Sequence, residues 1–225
     1  MTVWRLCLWT LVLHFPMCPG QALDVRYWIW HRTAPLTAEE TQHLTEQKVQ
    51  VLYWHAGTLR PQGDSWKIAG ALQLPNRQDT GPSLVPVLRL AAEGAMPLGE
   101  AATASVARVL KEALRRTGTA EAQIDFDCPD RRLPEYAAFL TRCRAQIAPA
   151  RLSVTALAGW SQAPGFAQLQ GSVDALFPMF YDLIPDAAAD VQAGRVLPLI
   201  DTTTLQRHLD SWSACRIPWF AGLPN

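Results

Sequence analysis

The chain has 225 residues, of which 49% are hydrophobic and 18% charged, a balance that excludes a disordered chain. Lys and Arg number 20 in total, as do Asp and Glu, so the net charge is zero. This balance argues against a protein that captures nucleic acid or anionic membranes through overall charge. Tryptophan is in excess, with nine residues, which suits either a large core or a cleft that stacks on sugar rings.

The first 22 residues have the pattern of a secretory signal peptide. A short basic start precedes an apolar run over residues 6–15, and small residues flank the expected cleavage point after Ala22. The apolar run is about half the roughly 20 residues that a membrane-spanning helix needs, and no later run reaches that length. We therefore predict an exported protein, periplasmic or secreted, with one domain over residues 23–225 and no membrane span after signal removal. Cys18 raises a lipid-anchored alternative, which is disfavoured because large residues precede it.

Eight apolar runs rich in β-branched and aromatic residues follow the predicted signal peptide and alternate with helical stretches. The runs are residues 25–31, 49–54, 84–90, 122–127, 152–157, 173–181, 196–200 and 217–222. Helices are predicted over residues 36–47, 100–116, 134–147 and 203–213, with weaker candidates over 163–170 and 185–193. Residues 60–81 fit either a loop insertion or a short hairpin.

Strands that are almost wholly apolar and alternate with helices are typical of a parallel sheet covered on both faces. Eight such units fit a (β/α)8 TIM-type barrel near its lower size limit of about 200 residues. The chain stops at Asn225, directly after the eighth strand, so the barrel is expected to be either minimal or truncated there. An open doubly wound sheet is the alternative, although no Gly-rich phosphate loop follows the first strand.

Polar and aromatic side chains collect at the carboxyl ends of the predicted strands, where barrel enzymes carry their sites. The candidate catalytic residues are Asp125, Asp127, Tyr181 and Asp182. The candidate substrate-binding residues are Trp28, His31, Trp54, His55, Arg89, Trp160 and Trp219. Each residue alone is consistent with a satisfied polar group at a strand end, but the set favours an aromatic-lined binding site.

Asp125 and Asp127 are spaced i, i+2, so they are predicted to share one inward face of a strand. Two such carboxylates repel unless they are paired, protonated or in use, and we expect one to titrate above its usual range. Arg89 on the neighbouring strand is the expected counter-ion, and a buried structural network of the three residues is the alternative. His31 and His55 are candidate proton carriers, hydroxyl partners or metal ligands with the two aspartates.

That residue spacing is not diagnostic of zinc, so we predict no metal and no cofactor. Cys128, Cys143 and Cys215 follow the predicted signal peptide, and their spacing fits no zinc pattern either. An odd number of cysteines allows at most one internal disulfide, and the sequence does not select the pair.

Two short motifs resemble the barrel of the family-18 glycoside hydrolases, the chitinase-like family. They are Ile124-Asp125-Phe126-Asp127 and Met179-Phe180-Tyr181-Asp182, and Trp219 stands where that family places a sugar-stacking Trp. The chain after the signal is more similar still to an uncharacterised bacterial family of exported barrels, domain of unknown function 3142. The points of similarity are Trp28-Ile29-Trp30-His31, Leu52-Tyr53-Trp54-His55, Asp125-Phe126-Asp127-Cys128-Pro129, Ala156-Leu157-Ala158-Gly159-Trp160 and Gly222-Leu223-Pro224.

The chitinase-like resemblance implies a carbohydrate site in which Asp127 and Tyr181 position the acetamido group of the substrate. The position of that family's general acid, a Glu, is Pro129 here, which has no proton to give. Hydrolysis is therefore left open by the sequence. If the protein hydrolyses glycans, the expected acid is Asp127 or Asp130, and the partner carboxylate is Asp125 or Asp182.

The sequence as a whole predicts an exported glycoside-hydrolase-like barrel that acts on a polysaccharide or cell-wall glycan. Two alternatives stay open: a carbohydrate-binding barrel without catalysis, and a structural protein of the envelope. The expected partner is a carbohydrate and not nucleic acid, and nothing in the sequence selects an oligomeric state.

Overall fold

The structure, a computed structural model, describes residues 24–30, 32–75, 81–183, 187–196 and 200–224. Its strands are β1 Tyr27–Ile29, β2 Val51–Gln62, β3 Ser65–Ile68, β4 Ser83–Leu90, β5 Glu121–Asp125, β6 Arg151–Leu157 and β7 Ala175–Met179. Its α-helices are α1 Ala38–Glu46, α2 Glu100–Thr117, α3 Leu133–Ile147, α4 Phe166–Ser172, α5 Ala188–Gln192 and α6 Thr202–Trp212. The alternation of strands and helices predicted from the sequence is confirmed.

Two sequence predictions concern residues that the structure does not describe. The predicted signal peptide, residues 1–22, lies outside the described residues, and so do residues 197–199 of the predicted strand at 196–200.

The strands on the main path of the sheet follow the order β1-β2-β4-β5-β6-β7, and each neighbouring pair is parallel. A doubly wound sheet reverses its strand order at a switch point, whereas this order runs in one direction. The sheet curls so far that Trp28 of β1 meets Phe177 of β7, with ring centroids 5.6 Å apart. The molecule is therefore a mixed α/β protein with a curled, parallel half-barrel, and the doubly wound alternative is wrong.

The last predicted strand, residues 217–222, lies beside β7. Trp219 pairs with Leu176 and Gly222 pairs with Met179, both in parallel orientation. Phe220, between them, stacks on Phe177 with ring centroids 5.0 Å apart. The eighth predicted strand thus borders the sixth directly in the described part of the sheet.

The ambiguous segment 60–81 begins as a hairpin. β2 continues to Gln62, turns at Gly63 in the left-handed conformation (φ 61°), and pairs with β3 in antiparallel orientation. A register shift between His55 and Gly57 interrupts the parallel pairing of β2 with β4, which continues to Leu59.

Local sequence signals set the helix boundaries. Thr37 and Glu40 form a reciprocal capping box at the start of α1. α2 ends at Gly118, whose φ of 68° is the left-handed conformation typical of a helix C-terminus. The Asp201 side chain accepts a hydrogen bond from the Thr204 backbone N–H and so caps α6.

Side chains alternate between the two faces of the sheet, and each face has its own core. The outer face packs against the helices, and its largest fully buried side chains include Trp54, Trp160, Trp212, Tyr136 and Phe139. The concave face holds a smaller apolar cluster formed by Tyr53, Val85, Val87, Ala175 and Phe177. Much of the tryptophan excess therefore serves the outer core.

Polar groups fill the concave interior near the amino ends of the strands. The Tyr53 hydroxyl donates to Glu121 (3.1 Å) and accepts from Arg26 (3.1 Å). The Ser153 hydroxyl donates to the same Glu121 oxygen at 2.8 Å. This hydrogen-bonded floor, Arg26, Tyr53, Glu121 and Ser153, satisfies polar groups that would otherwise be costly to bury.

Among the described helices, none combines the length and apolar character needed to cross a membrane. Cys128 and Cys143 are buried, Cys215 is partly buried, and all three are free thiols.

Candidate functional site

The candidate site begins with residues on the concave face of neighbouring strands. The register pairs Arg89 of β4 with Asp125 of β5, the last residue of that strand. Because parallel strands share their carboxyl edge, residues at the ends of β4 to β7 converge there. This edge is where the sequence predicted a binding site.

Asp125 is the buried carboxyl group of the site, with 8% of its surface exposed. Its Oδ1 accepts a hydrogen bond from the Thr155 hydroxyl at 2.7 Å, and its Oδ2 lies 3.8 Å from Nε of Arg89. Desolvation raises the pKa of Asp125, and Asp127 adds to that rise; the Thr155 bond and Arg89 oppose it. The expectation that one aspartate titrates above its usual range agrees with this direction.

Asp127 lies two residues beyond the end of β5 and is exposed, unlike Asp125. Arg89 is half-exposed, with 50% of its side chain accessible. Arg89 and Asp127 are thus open to solvent, whereas Asp125 is buried beside them.

Tyr181 and Asp182 follow β7 at the same edge of the sheet. Burial raises the pKa of the Tyr181 hydroxyl, and the negative charges of Asp125, Asp127 and Asp182 raise it further. Asp182 has a φ of 51°, a left-handed conformation that is uncommon for any residue other than glycine.

These side chains surround a cavity of about 550 Å³, called the acidic cavity below. Its lining consists of Arg89, Asp125, Asp127, Leu157, Ala158, Gly159, Met179, Tyr181, Asp182, Leu183 and His208. The structure thus brings together all four predicted catalytic residues and Arg89. Asp130, the alternative acid, is in the 3-10 turn Asp130–Arg132 and does not line the cavity.

His208 is a lining residue that the sequence reasoning missed. It lies on α6, and its Nδ1 is buried without a hydrogen-bond partner among the described residues. The signal available in the sequence was helical spacing, since His208 shares an i, i+4 face with the buried residues Thr204 and Trp212. A polar side chain on the inward face of a helix is a candidate for a site.

A second cavity of about 210 Å³ adjoins the first and shares Met179 and Tyr181 with it. Its other lining residues are Trp28, Trp30, Thr155, Leu223 and Pro224. We call this second cavity the aromatic cavity. Trp28, a predicted substrate-binding residue, therefore lies next to the acidic cavity. Trp28 is held there by a 2.7 Å hydrogen bond from its Nε1 to Gln123.

The two predicted histidines have different outcomes. His55 is on β2, where its ring lies 4.9 Å from that of Trp30 and its Nε2 lies 3.2 Å from the Thr58 hydroxyl. It lines neither the acidic nor the aromatic cavity. His31 lies outside the described residues.

Three predicted substrate-binding tryptophans lie on the outer side of the sheet, which corrects the expectation that they contact the substrate. Trp54 and Trp160 are fully buried, and Nε1 of Trp160 donates to the backbone carbonyl of Cys128 at 3.2 Å. Trp219 packs against Trp212 with ring centroids 5.8 Å apart, and it lines neither cavity. Alternation along the strand explains these positions, because Trp54 and Trp219 point away from the concave face.

No three His, Cys, Asp or Glu side chains within the described ranges are grouped so that they could hold a metal ion.

The combination of a curled parallel sheet and an acidic cavity at its carboxyl edge is found in barrel-type glycosidases. Solved structures of such enzymes are similar to this chain in fold. A chitinase from Bacteroides thetaiotaomicron matches with a TM-score of 0.58 and 12% identity over 87% of this chain and 64% of its own. A fungal endo-β-N-acetylglucosaminidase of glycosyl hydrolase family 18 matches with a TM-score of 0.50 and 15% identity over 89% of this chain and 90% of its own.

A Bacillus subtilis protein assigned as a sporulation-specific glycosylase matches with a TM-score of 0.50 and 16% identity over 64% of this chain. The chain spans 52% of the length of that protein. No curated protein sequence matches the chain significantly. Residues 80–225 match the family described as a domain of unknown function, DUF3142, and the chain belongs to that family. The family resemblance inferred from the sequence is confirmed.

Proposed function

We propose that the protein is an exported glycoside-hydrolase-like barrel that acts on a polysaccharide or cell-wall glycan. The observation that carries this proposal is the acidic cavity, which gathers Arg89, Asp125, Asp127 and Tyr181 from three strands of the sheet. Glycoside hydrolases usually act through two carboxyl groups that lie in different environments. The glycosidases with similar folds support the same class of ligand.

The environments of the two aspartates suggest how they divide the chemistry. Asp125 is buried and has a raised pKa, so it is the better candidate for holding a proton. Asp127 is exposed and is suited to act as the charged partner, or to orient a ring substituent together with Tyr181. Trp28 and Trp30, in the aromatic cavity, offer flat faces for a sugar ring.

The proposal includes the wider organisation of the chain. The curled sheet is proposed to be part of a TIM-type barrel in which residues 217–222 form the strand next to β7. Residues 1–22 are proposed to be a signal peptide and residues 23–225 the single exported domain.

A non-catalytic carbohydrate-binding barrel is the second candidate, and one observation favours it. Pro129 occupies the position of the chitinase-like general acid and has no titratable group. Such a protein would bind the same glycans at the same cavity without turning them over.

A paired assay separates the two candidates. Purified protein is screened for binding by calorimetry, and for release of reducing ends, on chitin oligosaccharides, peptidoglycan and neutral β-glucans. If the protein hydrolyses glycans, we expect turnover that is lost in Asp125→Asn or Asp127→Asn. Asp64→Asn, which changes an exposed residue of the β2–β3 turn, is the control and is expected to keep its turnover. Binding without turnover favours the second candidate. Neither binding nor turnover would refute both and favour a structural role in the envelope.

A further inference from the structure

The charges that line the acidic cavity are unbalanced. Asp127 and Asp182 face one fixed cation, Arg89, and Asp125, the proposed proton holder, adds a third carboxyl group. Nε of Arg89 lies 3.8 Å from Asp125, whereas Asp127 and Asp182 have no ion-pair partner among the described residues. The chain as a whole has zero net charge, so the negative cavity is a local feature of the fold.

Tyr181 lies within the same negative field. Its hydroxyl lies within the influence of all three carboxylates, which raise its pKa in addition to the effect of burial, and Arg89 only partly opposes them. The field of these groups therefore extends across the cavity to Tyr181, one of the two residues that the cavities share.

The negative charge is not arranged as a metal site. Within the described residues, no three potential metal ligands are grouped closely enough to hold an ion. An organic cation in the cavity would face the exposed carboxylates of Asp127 and Asp182.

We propose that the acidic cavity selects a glycan that carries free primary amino groups, such as de-N-acetylated hexosamine units. This inference rests on the glycan-binding function proposed above and specifies the class of substrate. A sugar ammonium gains from the unpaired carboxylates, whereas a uronate or a phosphorylated glycan is repelled. Trp28 and Trp30 next to the cavity add faces on which a sugar stacks or a cation rests.

Calorimetry with three oligosaccharides of equal length tests the selection directly. The probes are a glucosamine hexamer, an N-acetylglucosamine hexamer and an oligogalacturonate. We expect the glucosamine hexamer to bind about tenfold more tightly than the acetylated one, with an advantage that shrinks as salt rises, and the oligogalacturonate to bind most weakly.

Variants that remove one charge locate the effect. Asp127→Asn and Asp182→Asn are each expected to weaken binding of the glucosamine hexamer about fivefold more than binding of the acetylated hexamer, so that the preference for the amine shrinks. Asp64→Asn, outside the cavity, is the matched control and is expected to change neither. Asp182→Gly, which removes the carboxylate and suits the φ of 51°, replaces Asp182→Asn if that variant does not fold.

The possible outcomes are distinct. Equal or tighter binding of the acetylated hexamer overturns this inference and leaves the proposed glycan function standing. A preference for the amine that persists in both cavity variants, or is lost equally in Asp64→Asn, also overturns it, because the cation then binds elsewhere on the surface. Failure of every glycan to bind overturns both this inference and the proposed function.

Discussion

The hydroxyl of Thr155 donates a 2.7 Å hydrogen bond to Oδ1 of Asp125, and this bond connects the two cavities. Thr155 lines the aromatic cavity, and Asp125 lines the acidic one. A threonine hydroxyl has a single hydrogen to donate. The bond therefore sets both the orientation of the Asp125 carboxyl group and its affinity for a proton.

Thr155→Val is expected to raise the pKa of Asp125 further, because it removes a donor that favours the charged carboxylate. Thr155→Ser keeps the hydroxyl and serves as the matched control. Titration of the Asp125 carboxyl carbon by NMR measures the difference. Equal titration curves for the two variants would show that the bond has no such effect.

The raised pKa of Asp125 also affects how the free energy of unfolding depends on pH. The pKa of Asp125 in the fold lies above its unfolded value of 3.8, so the folded state holds the proton more tightly. Its contribution to the free energy of unfolding therefore falls as the pH rises from 3.8 through the folded pKa, and is constant above it. In Thr155→Val this decline should extend to higher pH, which denaturation curves across the acidic range will show.

Arg89→Leu is expected to cost little stability, less than about 1 kcal/mol, because half of the side chain is exposed and water screens its pair with Asp125. Glycan binding should nevertheless change, since Arg89 lines the acidic cavity. Thermal melts and calorimetry on the variant check both statements. A loss of several kcal/mol would mean that the pair acts as a buried ion pair.

Tyr53→Phe is expected to destabilise the fold by about 1–3 kcal/mol without altering the acidic cavity. The change removes a hydroxyl that bridges Arg26 and Glu121, and it leaves both without that partner in the concave interior. Urea denaturation gives the loss of stability, and glycan affinity in native buffer gives the control. Weaker glycan binding with unchanged stability would contradict the assignment of Tyr53 to the floor.

Cys128 and Cys143 are expected to resist thiol reagents in the native protein. Burial raises the pKa of both thiols to about 12, so almost no reactive thiolate forms at neutral pH. Cys215 is partly buried and should be modified first. Peptide mapping after iodoacetamide treatment, with and without urea, follows each cysteine separately; rapid native labelling of Cys128 would contradict the buried position.

The order of the elements could be predicted from the sequence because hydrophobic periodicity and capping signals are local. Apolar runs, the capping box at Thr37 and the helix-ending Gly118 required no knowledge of distant residues. The clustering of Asp125, Asp127, Tyr181 and Asp182 was also predictable. It follows from one rule, that parallel strands share their carboxyl edge.

The tertiary structure decided which face of each strand bears ligand-facing groups. In a strand such as β2, Tyr53 and Trp54 are both large aromatic residues with one polar group, so no clear polarity difference marks the concave side. An indole has the same chemistry in a core as in a cleft, and only packing separates Trp160 from Trp28. The place of His208 in the site also depends on tertiary structure, because α6 reaches the cavity through contacts between segments far apart in the chain.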